Sequence, residues 1–223
     1  MTDQPTIPHN EATQSAIEAP SDHSLRVPCY CEENVYRLAA RKLQAKAHAA
    51  SYYVIFISNE AQCIPMYYQL AGKTPSTACF WDYHVLLLQV NDTPKILDID
   101  SHLPYPCPLD TYIYNSFPSP GETPKEYAPL FRVVNAMTFL QQFCSDRRHM
   151  LKDGSWSAKP PTYSCIRVRR ERNNVSTEDI FNLDSYRFMN EPFKKSLEFS
   201  FEEAFGEVLT REQLLNHFHR NIG

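Results

Sequence analysis

Apolar and polar positions follow two periods along this chain. From Glu32 onward, Val35, Leu38, Ala39, Leu43 and Ala47 recur at helical spacing, with Arg37, Arg41 and Lys42 off that face, which predicts an amphipathic helix. The alanine-rich stretch 39–50 favours it intrinsically. Glu32 and Glu33 fall in its first turn, where acids complement the helix dipole. Cys31 then stands at or just before the helix N-terminus. The run Tyr52-Tyr53-Val54-Ile55-Phe56-Ile57-Ser58 reads as a buried strand ending in an Asn59-Glu60 turn, with Cys63 to Tyr68 as its antiparallel partner. Phe80 to Val90 reads as one long strand, Asn91-Asp92-Thr93-Pro94 as a turn, and Lys95 to Ile99 as the returning strand.

Further along, residues 108–116 and Ala136 to Phe143 read as helices and Phe131 to Val134 as a strand. Residues 149–176 read mostly as loop. Thr210-Arg211-Glu212-Gln213 matches a capping box ahead of Leu214, Leu215 and Phe218, which predicts a C-terminal helix. Helices mixed with antiparallel strands define an α+β class. Residues 1–24 carry no periodic apolar pattern and are rich in Pro, Ser, Thr, Gln and Glu. They are expected to form a disordered tail before a single domain at 25–223.

Composition narrows the function. The chain has 223 residues, 43% of them hydrophobic, enough for one domain with a real core. A formal net charge of −4 gives no electrostatic support for binding nucleic acid or an anionic membrane. The basic run from Arg167 to Arg172 reads as a solvated loop. No secretory signal or membrane span is visible, so a cytoplasmic or nuclear location with reduced thiols is expected. The five glycines are too scattered for a dinucleotide or phosphate-binding loop.

In order, the chain then offers a thiol, an imidazole and a carboxylate, the groups of a cysteine-nucleophile enzyme. Cys31 gains from the positive helix end, which lowers a thiol pKa, while Cys29 competes with it from before the cap. His84 lies on one arm of the predicted hairpin. Pairing about a turn at 91–94 places it opposite residues near 101, with Asp98 close by. Asp98 and Asp100 share a face by strand periodicity, so the pattern leaves both open. A zinc site of Cys29, Cys31, His84 and Cys63 or Cys79 is the rival, but C-x-C is poor spacing for it. His217 and His219 read as a solvated helix end.

Cys29-Tyr30-Cys31-Glu32-Glu33-Asn34, Phe56 to Glu60, Trp81-Asp82-Tyr83-His84-Val85, Asp98-Ile99-Asp100, Leu103 to Cys107, Asp110-Thr111-Tyr112, Phe131-Arg132-Val133 and Ser145 to Met150 together resemble the protein N-terminal glutamine amidohydrolase family. The resemblance runs in order over residues 29–183. It implies a single α+β domain related to papain-like and transglutaminase-like cysteine enzymes. It implies a monomer that converts an N-terminal Gln to Glu with release of ammonia, feeding the N-degron pathway. No cofactor or metal is implied. Cys31, His84 and Asp98 carry over as the catalytic residues. The alternative is a cysteine protease or transglutaminase-like acyl transferase with the same triad. The segments 167–174 and 184–206 depart from the family pattern.

A Cys31 thioester mechanism leaves a second oxyanion donor, beyond the Cys31 N–H, unassigned. An enzyme limited to N-terminal Gln must also read the free α-ammonium. Glu32, Glu33, Asp82 and Trp81 flank the nucleophile and base and are the substrate-binding candidates.

Overall fold

The continuous apolar run at 52–58 calls for a strand covered on both faces. In the computed structural model of the chain, which describes residues 21–45, 50–167, 181–189 and 205–220, this run is β1 (Ser51–Ser58), near the centre of a six-stranded antiparallel sheet. The other members are β4 (His84–Val90), β5 (Lys95–Leu97), β6 (Cys107–Pro108), β7 (Leu130–Asn135) and β10 (Glu207–Thr210). Their order is β10-β7-β1-β4-β5-β6, every pairing antiparallel.

Period-2 alternation splits the sheet into two apolar faces. Val54, Phe56, Val85 and Leu87 face one core with Leu38 and Phe139, contributed by α1 (Cys31–Gln44) and α3 (Ala136–Gln142). Tyr186, from the short α4 (Leu183–Arg187), joins them. Ile55, Ile57, Leu86 and Leu88 face the other, with Tyr112 and Ile113 of α2 (Leu109–Ser116) and Leu214 and Phe218 of α5 (Arg211–Arg220). The result is one α+β domain with helices on both sides of an antiparallel sheet. Among the described residues, no helix is long and apolar enough to cross a membrane.

Several expectations hold and others change. The C-terminal capping box forms: the Thr210 N–H donates to Gln213 Oε1 at 2.8 Å and the Gln213 N–H to Thr210 Oγ1 at 3.3 Å. The β4–β5 hairpin sets Leu87 opposite Leu97 and Gln89 opposite Lys95, within one residue of the expected register. The segment after the first turn does not pair with β1. Instead β2 (Ile64–Met66) pairs with β3 (Cys79–Trp81) in a separate two-stranded sheet, because β7 already occupies β1's second edge. The long strand expected from Phe80 breaks at Asp82 and Tyr83, where the Asp82 carboxylate accepts its neighbour's N–H at 3.0 Å and the Ser58 hydroxyl donates to the Asp82 carbonyl at 2.7 Å. Within 149–176, β8 (Leu151–Lys152) and β9 (Ser155–Trp156) form a small hairpin. The basic run beyond Arg167, the extension of α1 through Ala47 and most of 184–206 lie outside the described residues.

Strand β10 escaped the sequence reading. It depends on Gly206, whose φ is +73° and where a Cβ would come 1.9 Å from the Val133 carbonyl oxygen. Arg132 on β7, 2% exposed, ties the neighbouring segments together by donating to the carbonyls of Tyr186 (3.0 Å) and Phe188 (2.8 Å).

Residues 1–20 of the expected tail lie outside the described residues, while Asp22–Leu25 form a 3₁₀ turn. Leu25 is buried, and Asp22 accepts from Lys42, Arg41 and the Tyr105 hydroxyl. A chain starting at Ser21 is therefore expected to keep its denaturation midpoint. One starting at Arg26 should lose about 1–3 kcal/mol, from the Leu25 side chain and the Asp22 contacts. Equal stability of the two in a urea titration would refute this role for Asp22 and Leu25.

Candidate active site

Helix α1 begins at Cys31 with Tyr30 as an N-cap that makes no side-chain capping bond. The entry is fixed instead by Asn34, whose side chain accepts from the Val27 N–H and donates to the Val27 carbonyl, both at 2.9 Å. Cys29 sits in the left-handed region at φ 67° and is exposed, whereas Cys31 is buried. All seven cysteines are free thiols.

His84 is the first residue of β4 and is 1% exposed. Its Nε2 lies 3.0 Å from Asp98 Oδ2. That oxygen also accepts from the Tyr112 hydroxyl at 2.6 Å, and Asp98 Oδ1 accepts the Asp100 N–H at 2.9 Å. Asp100 turns to Arg26, 2.6 Å away. Of the two acids the strand pattern left open, Asp98 is the one that touches the imidazole. Trp81 lies against the His84 ring with centroids 5.8 Å apart and planes 24° apart. The remaining imidazole nitrogen, Nδ1, is buried and has no hydrogen-bond partner.

The thiol and the imidazole come from opposite layers. Cys31 belongs to the core under α1, with Val85. His84 sits on the alternate side of β4, with its carboxylate held by Tyr112 of α2. The Val85 N–H, in the peptide bond following His84, points at the Cys31 sulfur, and the Asp100 charge acts on both groups.

Electrostatics differ from the expectation at the nucleophile. Burial pushes the Cys31 thiol well up, and the nearby Glu32 and Asp100 carboxylates push it further, against the Val85 N–H. These outweigh the lowering expected from the helix end. Burial would hold His84 down, but the Asp98 carboxylate overcomes it and raises the imidazole above its ordinary 6.5. Asp98 is lowered: burial opposes this, but His84, Tyr112 and the Asp100 N–H prevail.

The flanking candidates separate. Glu33 is fully buried and both its oxygens are taken by Arg147, Nε to Oε1 at 2.8 Å and Nη2 to Oε2 at 2.9 Å. Arg147 also donates to the carbonyls of Pro161 and Tyr163. Asp82 is exposed over 57% of its side chain and lies 3.7 Å from Arg187. Glu32 is fully buried beside the thiol, its Oε2 3.8 Å from Sγ. Glu32 and Glu33, expected as helix-dipole complements and substrate-binding candidates, are both buried with specific partners. Sequence reasoning gave neither Tyr112 nor Arg147 a role. Both lie inside segments that carried the family resemblance, Asp110-Thr111-Tyr112 and Ser145 to Met150.

Breaking the Glu33–Arg147 pair strands a buried charge. Arg147→Ala is expected to lower unfolding free energy by about 3–5 kcal/mol. A loss under about 1 kcal/mol in denaturant titration would mean that water or another group satisfies Glu33.

Among the described residues, no group of three or more His, Cys, Asp and Glu side chains is placed to hold a metal ion. His217 and His219 lie away from the site, partly exposed beside Glu207 and Asp110.

Comparison with known proteins bears on this constellation. The model of the N-terminal glutamine amidase family matches residues 26–218. Among curated relatives, "Protein N-terminal glutamine amidohydrolase" of Bos taurus is 38% identical over 172 residues, 74% of this chain and 80% of that protein. The protein of the same name from Arabidopsis thaliana is 38% identical over 162 residues, 69% and 73% of the two chains. That from Danio rerio is 34% identical over 194 residues, 85% and 87%.

Proposed function

This chain belongs to the N-terminal glutamine amidase family, and we propose that it hydrolyses the side-chain amide of an N-terminal glutamine to glutamate, releasing ammonia, through Cys31, His84 and Asp98. The observation that carries the mechanism is the His84–Asp98 contact, with the second imidazole nitrogen unpartnered at the strand end where the Cys31 thiol is held. The pairing supports a papain-like or transglutaminase-like logic on this sheet.

Each step follows from these groups. With the thiol raised and the imidazole kept basic, the resting pair above the His84 pKa is neutral thiol and neutral imidazole. His84 Nδ1 takes the Cys31 proton as sulfur attacks the glutamine carboxamide carbon. The tetrahedral oxyanion forms at the start of α1, where backbone N–H groups without intrahelical partners point outward. The imidazolium, stabilised by Asp98, gives its proton to the departing nitrogen, and ammonia leaves a thioester. Water attacks the thioester with His84 again as base, yielding glutamate and the free thiol. Asp98 stays ionised throughout because Tyr112, the Asp100 N–H and His84 satisfy its oxygens.

A glutamate made in this way is the kind of N-terminus an arginylation-based N-degron route consumes. The protein so read is a monomer working in a compartment that keeps its thiols reduced.

The test is product analysis of a Gln-initiated peptide. Ammonia equal to peptide consumed, with an intact backbone and Glu at position one, supports the proposal. Backbone cleavage would favour a protease. Incorporation of an added primary amine in place of water would favour a transglutaminase.

A further inference from the structure

The charges that act on the nucleophile raise a question that deamidation alone does not answer. Glu32, Asp100 and Asp82 all oppose ionisation of Cys31. A thiol that must become nucleophilic is surrounded by anions. Of these, Glu32 is the closest by contact, with Oε2 3.8 Å from Sγ.

Glu32 is also incompletely satisfied. It has no exposure to water. Its Oε2 accepts the Tyr83 hydroxyl at 3.0 Å, but Oε1 has no hydrogen-bond partner. The His149 imidazole faces Oε1, its Nε2 3.5 Å from that oxygen and 3.3 Å from the Tyr83 hydroxyl, and its Nδ1 is buried without a partner. A buried carboxylate oxygen without a partner is costly unless a ligand completes it. The other acids do not have this vacancy. Glu33 is held at both oxygens by Arg147, Asp100 is held by Arg26, and Asp82 is largely in water.

Resting on the deamidase reading above, we infer that Glu32, through Oε1, is the group that pairs with the α-ammonium of the substrate's first residue. The ammonium takes the place on Oε1 that the His149 imidazole now faces. The reach is right. A glutamine side chain spans about 5 Å from α-nitrogen to carboxamide carbon by standard bond lengths. A charge-assisted N–H···O contact takes about 2.8 Å, and sulfur approaches the carbon at about 3–3.5 Å. These lengths close around a carboxylate whose other oxygen is 3.8 Å from Sγ.

The pairing has a second consequence. A cation on Glu32 cancels the nearest of the charges that keep Cys31 protonated. Binding a free N-terminus therefore helps ionise the nucleophile, and an internal or acetylated glutamine leaves it silent. Selectivity for the N-terminus then appears in the chemical step as well as in binding. The groups about this thiol are Glu32 in contact, Tyr83 bonded to Glu32, Asp100 and Asp82 at longer range, His149 beyond Glu32, and His84 and Asp98 beside Asp100.

The experiment follows thiolate ultraviolet absorbance of Cys31 against pH, with Cys31→Ala subtracting the other cysteines. The probes are a norleucine-initiated tripeptide, which has the ammonium and no carboxamide, and its N-acetylated form. In the natural protein the free tripeptide should move the titration midpoint down and the acetylated one should not. In Glu32→Gln the midpoint should already lie lower and respond to neither. In turnover, the natural protein should prefer a free over an acetylated Gln peptide by about a hundredfold or more, and Glu32→Gln should largely lose that preference. The inference is overturned if both probes act alike on the natural protein, or if Glu32→Gln keeps the full preference. Should Glu32→Gln fail to fold by circular dichroism, the two-probe titration of the natural protein decides alone. That titration needs no turnover, so it stands apart from the ammonia-release test of the deamidase reading.

Discussion

Cys31→Ala is expected to lose deamidation by about 10⁴-fold or more, while Cys29→Ala keeps activity within about threefold. The two thiols are two residues apart, yet their surroundings differ. Cys29 is exposed, in a left-handed backbone conformation ahead of the helix. Cys31 opens α1, faces the N–H that follows His84, and sits 3.8 Å from Glu32. In the proposed mechanism Cys31 passes its proton to the unpartnered His84 nitrogen while its sulfur meets a carbonyl at the helix start. Ammonia release by both variants, measured beside thermal unfolding, checks this. Activity in Cys31→Ala within about tenfold of the natural protein, a barrier change near 1.4 kcal/mol, would exclude it as nucleophile.

Asp98→Asn carries the second large effect, a fall of roughly 10²- to 10⁴-fold in kcat. The amide can hold the wrong imidazole tautomer and cannot stabilise imidazolium. The pH profile gives an independent readout. His84 must be neutral to act as base, so kcat/KM rises as pH passes upward through its pKa. Asp98 holds that pKa above 6.5, so the acid limb of the natural enzyme should lie above this value. In Asp98→Asn burial remains and the opposing carboxylate is gone, so the limb should shift to lower pH. Asp100→Asn should cost much less in kcat, because Asp100 contacts Arg26 rather than the ring. Equal losses in the two variants, or an unmoved limb in Asp98→Asn, would contradict the assignment.

Much of this site was legible in local pattern. The helical spacing after Glu32 placed Cys31 at the helix start, and the Asn91–Pro94 turn brought His84 and Asp98 onto adjacent arms. Both features depend on neighbours within a few tens of residues. What the pattern missed depends on distant partners. Glu32 and Glu33 read only as dipole complements or substrate-binding candidates because Arg147, which buries Glu33, lies 114 positions away. The same remoteness reversed the expected direction of the thiol pKa, since helix position is local while the burial of Cys31 and the approach of Asp100 are set by the fold. The break at Asp82 went unread because one polar residue inside an aromatic run does not announce that its side chain will cap the next N–H. The pairing of β2 with β3 joins segments separated by a long turn-rich connection, and the two-residue-period signal of β2 carries no address for its partner.

The central claim is that Cys31 attacks the side-chain carbonyl carbon of an N-terminal glutamine. A tripeptide whose first residue is the diazoketone analogue of glutamine, with its α-amine free, places an electrophile at that position and alkylates the attacking atom with loss of nitrogen. Peptide mapping after incubation should find the adduct on Cys31, formed at a rate that excess Gln-initiated peptide suppresses. An adduct on Cys29 or another residue, or labelling of Cys31 that excess Gln-initiated peptide does not slow, would contradict the account.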